Sequence, residues 1–246
     1  MRRVCALIPA AGRGSRLGLP GPKILAPLGP DATVWSHLHA RLAPHVDHVH
    51  VVLSPESRAP FERGLGDARE VSTSVQETPT GMGDAIFGAR GALAAYDDVL
   101  IVWGDQAGLA EDTVVRTLAA HRAATGPRLT IPLVTLSAPY VAYQVEDGRL
   151  VRVLESREGD DCGARGRSDV GVFCASTRGL AEAWDEYARE APPGRATGER
   201  NFLPFLPFLV ARGFAFTAVD VRDPDEARGL NTAADLAFFR ARHAAR

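Results

Sequence analysis

Cysteine is scarce in this 246-residue chain, which has only Cys5, Cys162 and Cys174. No two form a CxxC pair, and an odd, scattered set cannot serve as a disulfide framework or a thiolate metal site. Cys5 and Cys174 fall in apolar runs, as buried free thiols do. Long hydrophobic runs are also missing, and none reaches the ~20 residues that span a bilayer. Met1-Arg2-Arg3 precedes the short apolar run Val4–Ile8, too little for a secretory signal, and no small-residue cleavage site follows. A cytoplasmic, reducing location with no membrane partner is the expectation. Neither charge sign dominates: the formal net charge is −2, so no nucleic-acid partner is expected. Internal repeats and low-complexity tails are absent too. Without hexapeptide repeats after the last helix, no fused acyltransferase activity is expected.

What remains is an ordinary globular composition, 46% hydrophobic and 24% charged, of a length that suits one α/β domain over 1–246. Short apolar runs alternate with segments of helical period. Strands are expected at Val4–Ile8, His48–Leu53, Val71–Val75 and Val99–Trp103. Helices are expected at Val34–Leu42, Pro60–Leu65, Gly83–Ala95 and Asp112–Ala123. This order implies βαβ units and a mainly parallel sheet. Three strand-like runs then follow without a helix, Leu129–Leu136, Val141–Val145 and Leu150–Leu154, and read as a small antiparallel insertion. Glu146-Asp147-Gly148 is its hairpin turn. A strand at Val170–Phe173, a helix at Thr177–Arg189, a strand at Phe214–Val221 and a helix at Ala233–Arg242 complete the chain. Asp160–Arg167 and Ala191–Gly198 read as loops. The apolar run Phe202–Arg212 reads as core or as a homo-oligomer surface.

The loop after the first strand carries the most chemistry. In Ala10-Ala11-Gly12-Arg13-Gly14-Ser15-Arg16-Leu17, small residues let the backbone approach a ligand and turn N–H groups toward it. Loops at the C-terminal ends of parallel strands are where α/β sheets bind ligands. Arg13 and Arg16, with Lys23 after the rigid Pro20-Gly21-Pro22 turn, add the positive charge a triphosphate needs. Rival motifs fail in detail. G-x-x-x-x-G-K-[ST] is absent, and Gly12-x-Gly14 meets its third glycine at Gly18, one position late for a dinucleotide fingerprint. Asp220-Val221-Arg222-Asp223 lacks the Asp-x-Asp spacing of a glycosyltransferase metal site. Asp105 ends the very apolar run Val99–Trp103, where a carboxylate is costly without a partner, and a cation beside a triphosphate is the natural one. His45, His48 and His50 lack a carboxylate or cysteine at ligand spacing and read as strand-edge residues. Ser15 has no His/Asp partner for nucleophilic catalysis. Trp35 and Trp184 read as core.

Ala10–Leu17 followed by Pro22-Lys23 resembles the signature loop of sugar-phosphate nucleotidyltransferases. Pro22-Lys23-Ile24-Leu25 is most similar to the bacterial N-acetylglucosamine-1-phosphate uridylyltransferase domain. The resemblance continues through Gln76–Ala85, Trp103-Gly104-Asp105, Leu150–Arg157 with Ser168–Phe173, and Gly229–Thr232. It implies a three-layer α/β/α Rossmann-like fold and a Mg²⁺-dependent enzyme. That enzyme would join a nucleoside triphosphate, UTP by preference, to a sugar 1-phosphate and release pyrophosphate. A cytidylyltransferase for a phospho-alcohol or phosphonate, and a silent nucleotide-binding subunit, stay open. The implied nucleotide-binding set is Ala10, Ala11, Gly12, Arg13, Gly14, Gln76, Gly81, Met82 and Gly104, with Arg16 and Lys23 catalytic. Asp105 and Asn231 are the implied Mg²⁺ ligands. Glu155, Arg157 and Asp169 are the implied acceptor contacts. The sequence departs from the family pattern at Met82, Ala138–Tyr143, Asp169-Val170-Gly171 and Glu199–Pro204, mostly on the acceptor half.

Overall fold

The structure is a computed structural model that describes residues 2–12, 18, 21–65 and 70–245. Its centre is an eight-stranded sheet, apart from which the short strands β2 (Pro27–Gly29) and β3 (Ala32–Thr33) pair with each other. β1 (Val4–Ala10) lies between β4 (His48–Leu53) and β6 (Asp98–Val102), parallel to both, and β5 (Val71–Val75) extends the parallel set beyond β4. β1 and β6 are buried along their length, which is why both read as unbroken apolar runs rather than as alternation. On the other side of β6, β11 (Val172–Ser176) runs antiparallel and pairs in turn with β7 (Arg128–Ser137). β10 (Arg165–Asp169) pairs antiparallel with β7, and β12 (Ala215–Asp220) adds in parallel on the other edge of β7.

Alternate β1 side chains face two separate cores. Val4, Ala6 and Ile8 pack under α1 (Val34–Leu42), α2 (Pro55–Arg63), α5 (Glu111–Arg122) and α8 (Ala233–Ala244). Cys5 and Leu7 pack under α3 (Met82–Gly88), α4 (Arg90–Leu93), α6 (Leu180–Glu190) and α7 (Phe205–Ala211). This is the expected three-layer α/β/α arrangement. Each large apolar side chain sealed in these layers contributes roughly 1.5–3 kcal/mol. Trp35 and Trp184 are both core residues, as expected. Phe202, Leu203, Phe205, Leu206 and Leu209 are likewise buried, so the Phe202–Arg212 run is core rather than an exposed surface.

Several boundaries differ from the sequence reading. The insertion is only the ribbon β8 (Val141–Glu146) and β9 (Arg149–Glu155), because β7 belongs to the main sheet. α2 begins at Pro55, not Pro60: Ser54 caps it, and a proline at the first helical position needs no N–H partner. Pro60 lies inside that helix. The Gly83–Ala95 helix is two pieces broken at Ala89. The end of the Asp160–Arg167 loop is strand, paired to β7 from Arg165 on. Val170 and Gly171 interrupt the next strand, which lets the chain leave β7 for β6. Among the described residues, no helix is long and apolar enough to cross a membrane.

Candidate active site

β1, β5 and β6 end on the same side of the sheet, and their C-terminal ends open onto a cleft of about 330 Å³. Pro9, Ala11 and Gly12 line it from β1, Gln76, Gly81 and Met82 from the β5–α3 loop, and Trp103 and Asp105 from β6. Gly104 brings these ends together. A Cβ there would lie 2.9 Å from the Ala10 side chain and 3.1 Å from the Pro9 carbonyl, so only glycine fits without movement. Ala10 and Gly104 thus shape the cleft without lining it. Arg13, Gly14 and Arg16 lie outside the described residues.

Three sequence-distant groups converge at one end. Lys23 Nζ donates to Asn231 Oδ1 at 2.7 Å and lies 3.5 Å from Asp105 Oδ2. Pro22, with extended backbone, leads directly into the short helical turn Lys23–Leu25 that carries the lysine. The Asp105 carbonyl accepts from Leu230 N at 2.9 Å, which ties the end of β6 to the loop carrying Asn231. Asn231 N donates to Asp235 Oδ2 at 3.1 Å, and Thr232 and Asp235 form the capping box that starts α8. Burial pushes the Asp105 carboxyl above its usual range, and Lys23 opposes that shift. One carboxylate oxygen and one amide oxygen here share one cation, the lysine ammonium. That donor pair fits Mg²⁺, which takes one or two protein oxygens and completes its shell with water and phosphate.

The β5–α3 loop forms a second element. Gly81 sits at φ 130° and ψ 167°, a conformation reserved for glycine, and its carbonyl accepts from Gln76 Nε2 at 3.1 Å. The Arg200 backbone pins this loop: Arg200 N donates to Thr80 O at 2.9 Å, and Gly83 N donates to Arg200 O at 3.0 Å. Met82 opens α3 and is partly exposed in the cleft.

The rest of the lining comes from the ribbon with the residues flanking it and from the segment before α7: Tyr140, Val141, Glu155 and Arg157 from the first, Glu199, Asn201, Phe202 and Leu203 from the second. Arg157 Nη2 donates to Glu199 Oε2 at 2.7 Å. Glu158 accepts from Thr197 Oγ1 at 2.7 Å, Ala196 N at 2.8 Å and Asn201 Nδ2 at 3.0 Å, which hold its carboxyl at about 2. Glu155 is only 5% exposed, and its Oε1 is buried without a hydrogen-bond partner. Burial pushes its carboxyl up to about 7. Glu158, Asp169 and Asp160 add to the shift, and Arg157 opposes it. Asp169 is buried and does not line the cleft. Its carboxylate accepts from Tyr143 Oη at 3.0 Å and Gly171 N at 2.7 Å.

Sequence reasoning gave no role to Trp103 or to the Arg157–Glu199 pair. Trp103 precedes Gly104-Asp105 at a strand end and was legible from that position. The ion pair spans 42 residues of sequence, and no local signal marks it. His48 and His50 lie on β4, an interior strand between β1 and β5 rather than an edge, with His48 half-buried and His50 buried, and His45 lies in the turn before that strand. Ser72 Oγ bonds both His48 Nε2 at 2.7 Å and His50 Nδ1 at 2.8 Å, while His45 pairs with Glu111.

Comparison with known proteins bears on the family and the fold. The bifunctional protein GlmU of Geobacter sulfurreducens is 30% identical over 252 residues, covering 100% of this chain and 51% of the relative. GlmU of Geobacter metallireducens is 30% identical over 244 residues, covering 96% and 50%. The chain therefore spans about half the length of these relatives. A crystal structure from Bacillus anthracis, assigned as a glucose-1-phosphate thymidylyltransferase in complex with sucrose, superposes with a TM-score of 0.74. It covers 97% of this chain and 94% of its own at 15% identity, a likeness of fold. A family model described as the MobA-like NTP transferase domain matches residues 6–190, a span that holds Lys23, Gln76, Gly81, Asp105, Glu155 and Arg157. The chain belongs to the nucleotidyltransferases of the MobA-like NTP transferase family.

Proposed function

We propose that this chain transfers a nucleoside monophosphate from a nucleoside triphosphate to a phosphorylated small-molecule acceptor. A sugar 1-phosphate is the preferred acceptor and UTP the favoured donor. The acceptor's phosphate oxygen attacks the α-phosphorus, the α–β bridging P–O bond breaks, and pyrophosphate leaves with that electron pair. The observation that carries this reading is the meeting of Lys23, Asp105 and Asn231 at one end of a cleft lined by Gln76 and Gly81.

Catalysis of this kind is mainly positioning and charge stabilisation. Arg16 and Lys23 would neutralise the triphosphate and the departing pyrophosphate. Gln76 and Gly81 would orient the base, and the start of α3 would favour its anionic neighbours. Arg157 would hold the acceptor phosphate once released from Glu199, and Glu155 would contact the rest of the acceptor. Asp169, through Tyr143, would keep the acceptor wall in place. Asp105 and Asn231 would hold Mg²⁺, which supplies charge neutralisation at the reacting phosphates when bound. Support for UTP comes from the Pro22-Lys23-Ile24-Leu25 resemblance.

One observation favours a second reading. Tyr140, in the segment Ala138–Tyr143 where the uridylyltransferase pattern has a glycine-rich loop, lines the cleft together with Trp103 and Phe202, giving it an aromatic lining. That lining suits a cytidylyltransferase acting on a phospho-alcohol or phosphonate. A panel of nucleoside triphosphates against sugar 1-phosphates, phospho-alcohols and phosphonates, read by Mg²⁺-dependent pyrophosphate release, separates the readings. UTP with a sugar 1-phosphate should give the highest kcat/KM. Nucleotide binding without pyrophosphate release from any pair would instead mark a silent binding subunit.

A further inference from the structure

The carboxylates in and behind this part of the cleft are unevenly satisfied. Glu158 accepts three hydrogen bonds. Asp160 accepts from Glu155 N at 3.0 Å and Arg195 Nη2 at 3.2 Å. Asp169 accepts from Tyr143 and Gly171. Glu199 holds Arg157. Among the described residues, Glu155 Oε1 is the carboxylate oxygen that is buried yet lacks a donor, and Glu155 lines the cleft. A buried carboxylate with a free oxygen is costly and needs a partner that the described residues do not supply.

The partner's chemistry follows from the surroundings. The charges that act on Glu155 are Arg157 on one side and Glu158, Asp160 and Asp169 on the other. Arg157 is already engaged by Glu199, so among the described residues the local balance is negative. A neutral hydroxyl would fill one hydrogen bond and leave that charge uncompensated. An ammonium group would both donate to Oε1 and neutralise it. Trp103, Tyr140 and Phe202 line the same cleft, and aromatic faces attract cations. We infer that the acceptor carries a cationic amino group, which Glu155 receives while its phosphate is directed to Arg157 and the Lys23 end of the cleft. This rests on the nucleotidyltransferase reading and adds the acceptor's chemical class: a phosphorylated amine, either an amino-sugar phosphate or a phosphoalkylamine.

The test compares matched acceptors that differ only at the amine: glucosamine 1-phosphate against glucose 1-phosphate and N-acetylglucosamine 1-phosphate, and phosphoethanolamine against 2-hydroxyethyl phosphate. Pyrophosphate release should favour the amine of at least one set by about tenfold or more in kcat/KM. The set that responds identifies the sugar or the alkyl source. In Glu155→Gln the preference should shrink to about threefold or less, with the KM for the triphosphate held. Equal or better use of the neutral partners by the unmodified chain overturns the inference, as does a preference that survives in Glu155→Gln. Calorimetric binding of the same compounds, with a non-hydrolysable triphosphate present, separates the two layers. Glu155-dependent amine binding without pyrophosphate release would refute the transferase reading and keep this one. Failure of every amine to bind would overturn this one.

Discussion

Gly81 offers a sharp test of the site's construction, because the same substitution made elsewhere should act with the opposite sign. At φ 130° and ψ 167°, Gly81 occupies a region where any side chain costs about 1–3 kcal/mol. A Cβ there would also lie 2.6 Å from both the N and the O of Arg200. These are backbone atoms and cannot rotate away. Relief means breaking or stretching Arg200 N–Thr80 O and Gly83 N–Arg200 O, each worth about 1 kcal/mol. Gly81→Ala should therefore cost roughly 3–5 kcal/mol in all. At about 2–4 °C per kcal/mol for a domain of this size, the melting temperature should fall by ~6–20 °C. Gly91, inside α4, has open space around its added Cβ. Gly91→Ala should leave stability equal or raise it by up to about 1 kcal/mol, since alanine is the better helix former. Thermal unfolding followed by far-UV circular dichroism reads both. Because the Gly81 carbonyl also holds Gln76, the surviving Gly81→Ala protein should show a raised KM for the triphosphate. A Gly81→Ala melt within about 2 °C of the unmodified chain would refute the claimed close approach to Arg200.

Other predictions rest on separate parts of the molecule. Asp98 is buried between Arg2 at 2.6 Å and His121 at 3.1 Å. Burial pushes its carboxyl up, and the two partners more than reverse this, holding it well below the usual range. Its stabilisation is therefore present above the unfolded value of about 3.9 and is lost as pH falls below it. Asp98→Ala should cost about 3–5 kcal/mol by urea unfolding at pH 7. Glu155 has the opposite sign: with its folded value raised to about 7, it favours folding at low pH and loses that contribution as pH rises through 7. Glu155→Gln should therefore be more stable than the unmodified chain at pH 8, by up to roughly 3 kcal/mol, and show no gain at pH 4; an equal gain at both would defeat the assignment. Lys23→Met frees Asp105 and Asn231 from their ammonium, so Mn²⁺ titrated without nucleotide should bind about tenfold tighter while turnover collapses; unchanged Mn²⁺ affinity would show that the three groups do not share one cation. Asp105→Asn should abolish turnover with an unchanged melt, and retained Mg²⁺-dependent activity would remove Asp105 from the metal role.

How much of this was legible depends on whether the deciding forces were local. β1 and β6 were readable because a strand buried on both faces must be apolar throughout. α5 was readable from its period and from Glu111 and Asp112 at its start. α2 was misplaced although Ser54-Pro55 is a sound start signal, because Pro60 drew the boundary downstream. β10 carries Arg165-Gly166-Arg167-Ser168-Asp169, with no apolar alternation. It is a strand because β7 offers it a partner, which no local rule can see. Likewise Glu146-Asp147-Gly148 marked the β8–β9 turn, but only the sheet registers show that β7 stays behind in the core. In the site, residues at strand ends were found. Residues that act by reaching across the cleft, such as Glu199 and Asn201, were noticed only as departures from the family pattern.

The segment Glu199–Asn201 explains why those departures matter. The Arg200 backbone holds the Gly81 loop through two hydrogen bonds, while the side chains on either side of it hold the acceptor wall, Glu199 through Arg157 and Asn201 through Glu158. One short stretch therefore sets the relative position of the β5–α3 loop and the segment after the β8–β9 ribbon. Gly81 and Gly83 are its counterpart, since both lie close enough to Arg200 that an added Cβ would overlap its backbone. Among the described residues, two cations at the cleft are paired internally, Lys23 with Asp105 and Asn231, and Arg157 with Glu199. A phosphate bound at either of these two must exchange for an existing partner rather than meet a bare charge. Exchange at Arg157 frees Glu199, the residue next to the one that holds the base loop. A substitution at Glu199 should for that reason register in the KM of the triphosphate as well as of the acceptor. A purely local contact would move the acceptor's KM alone.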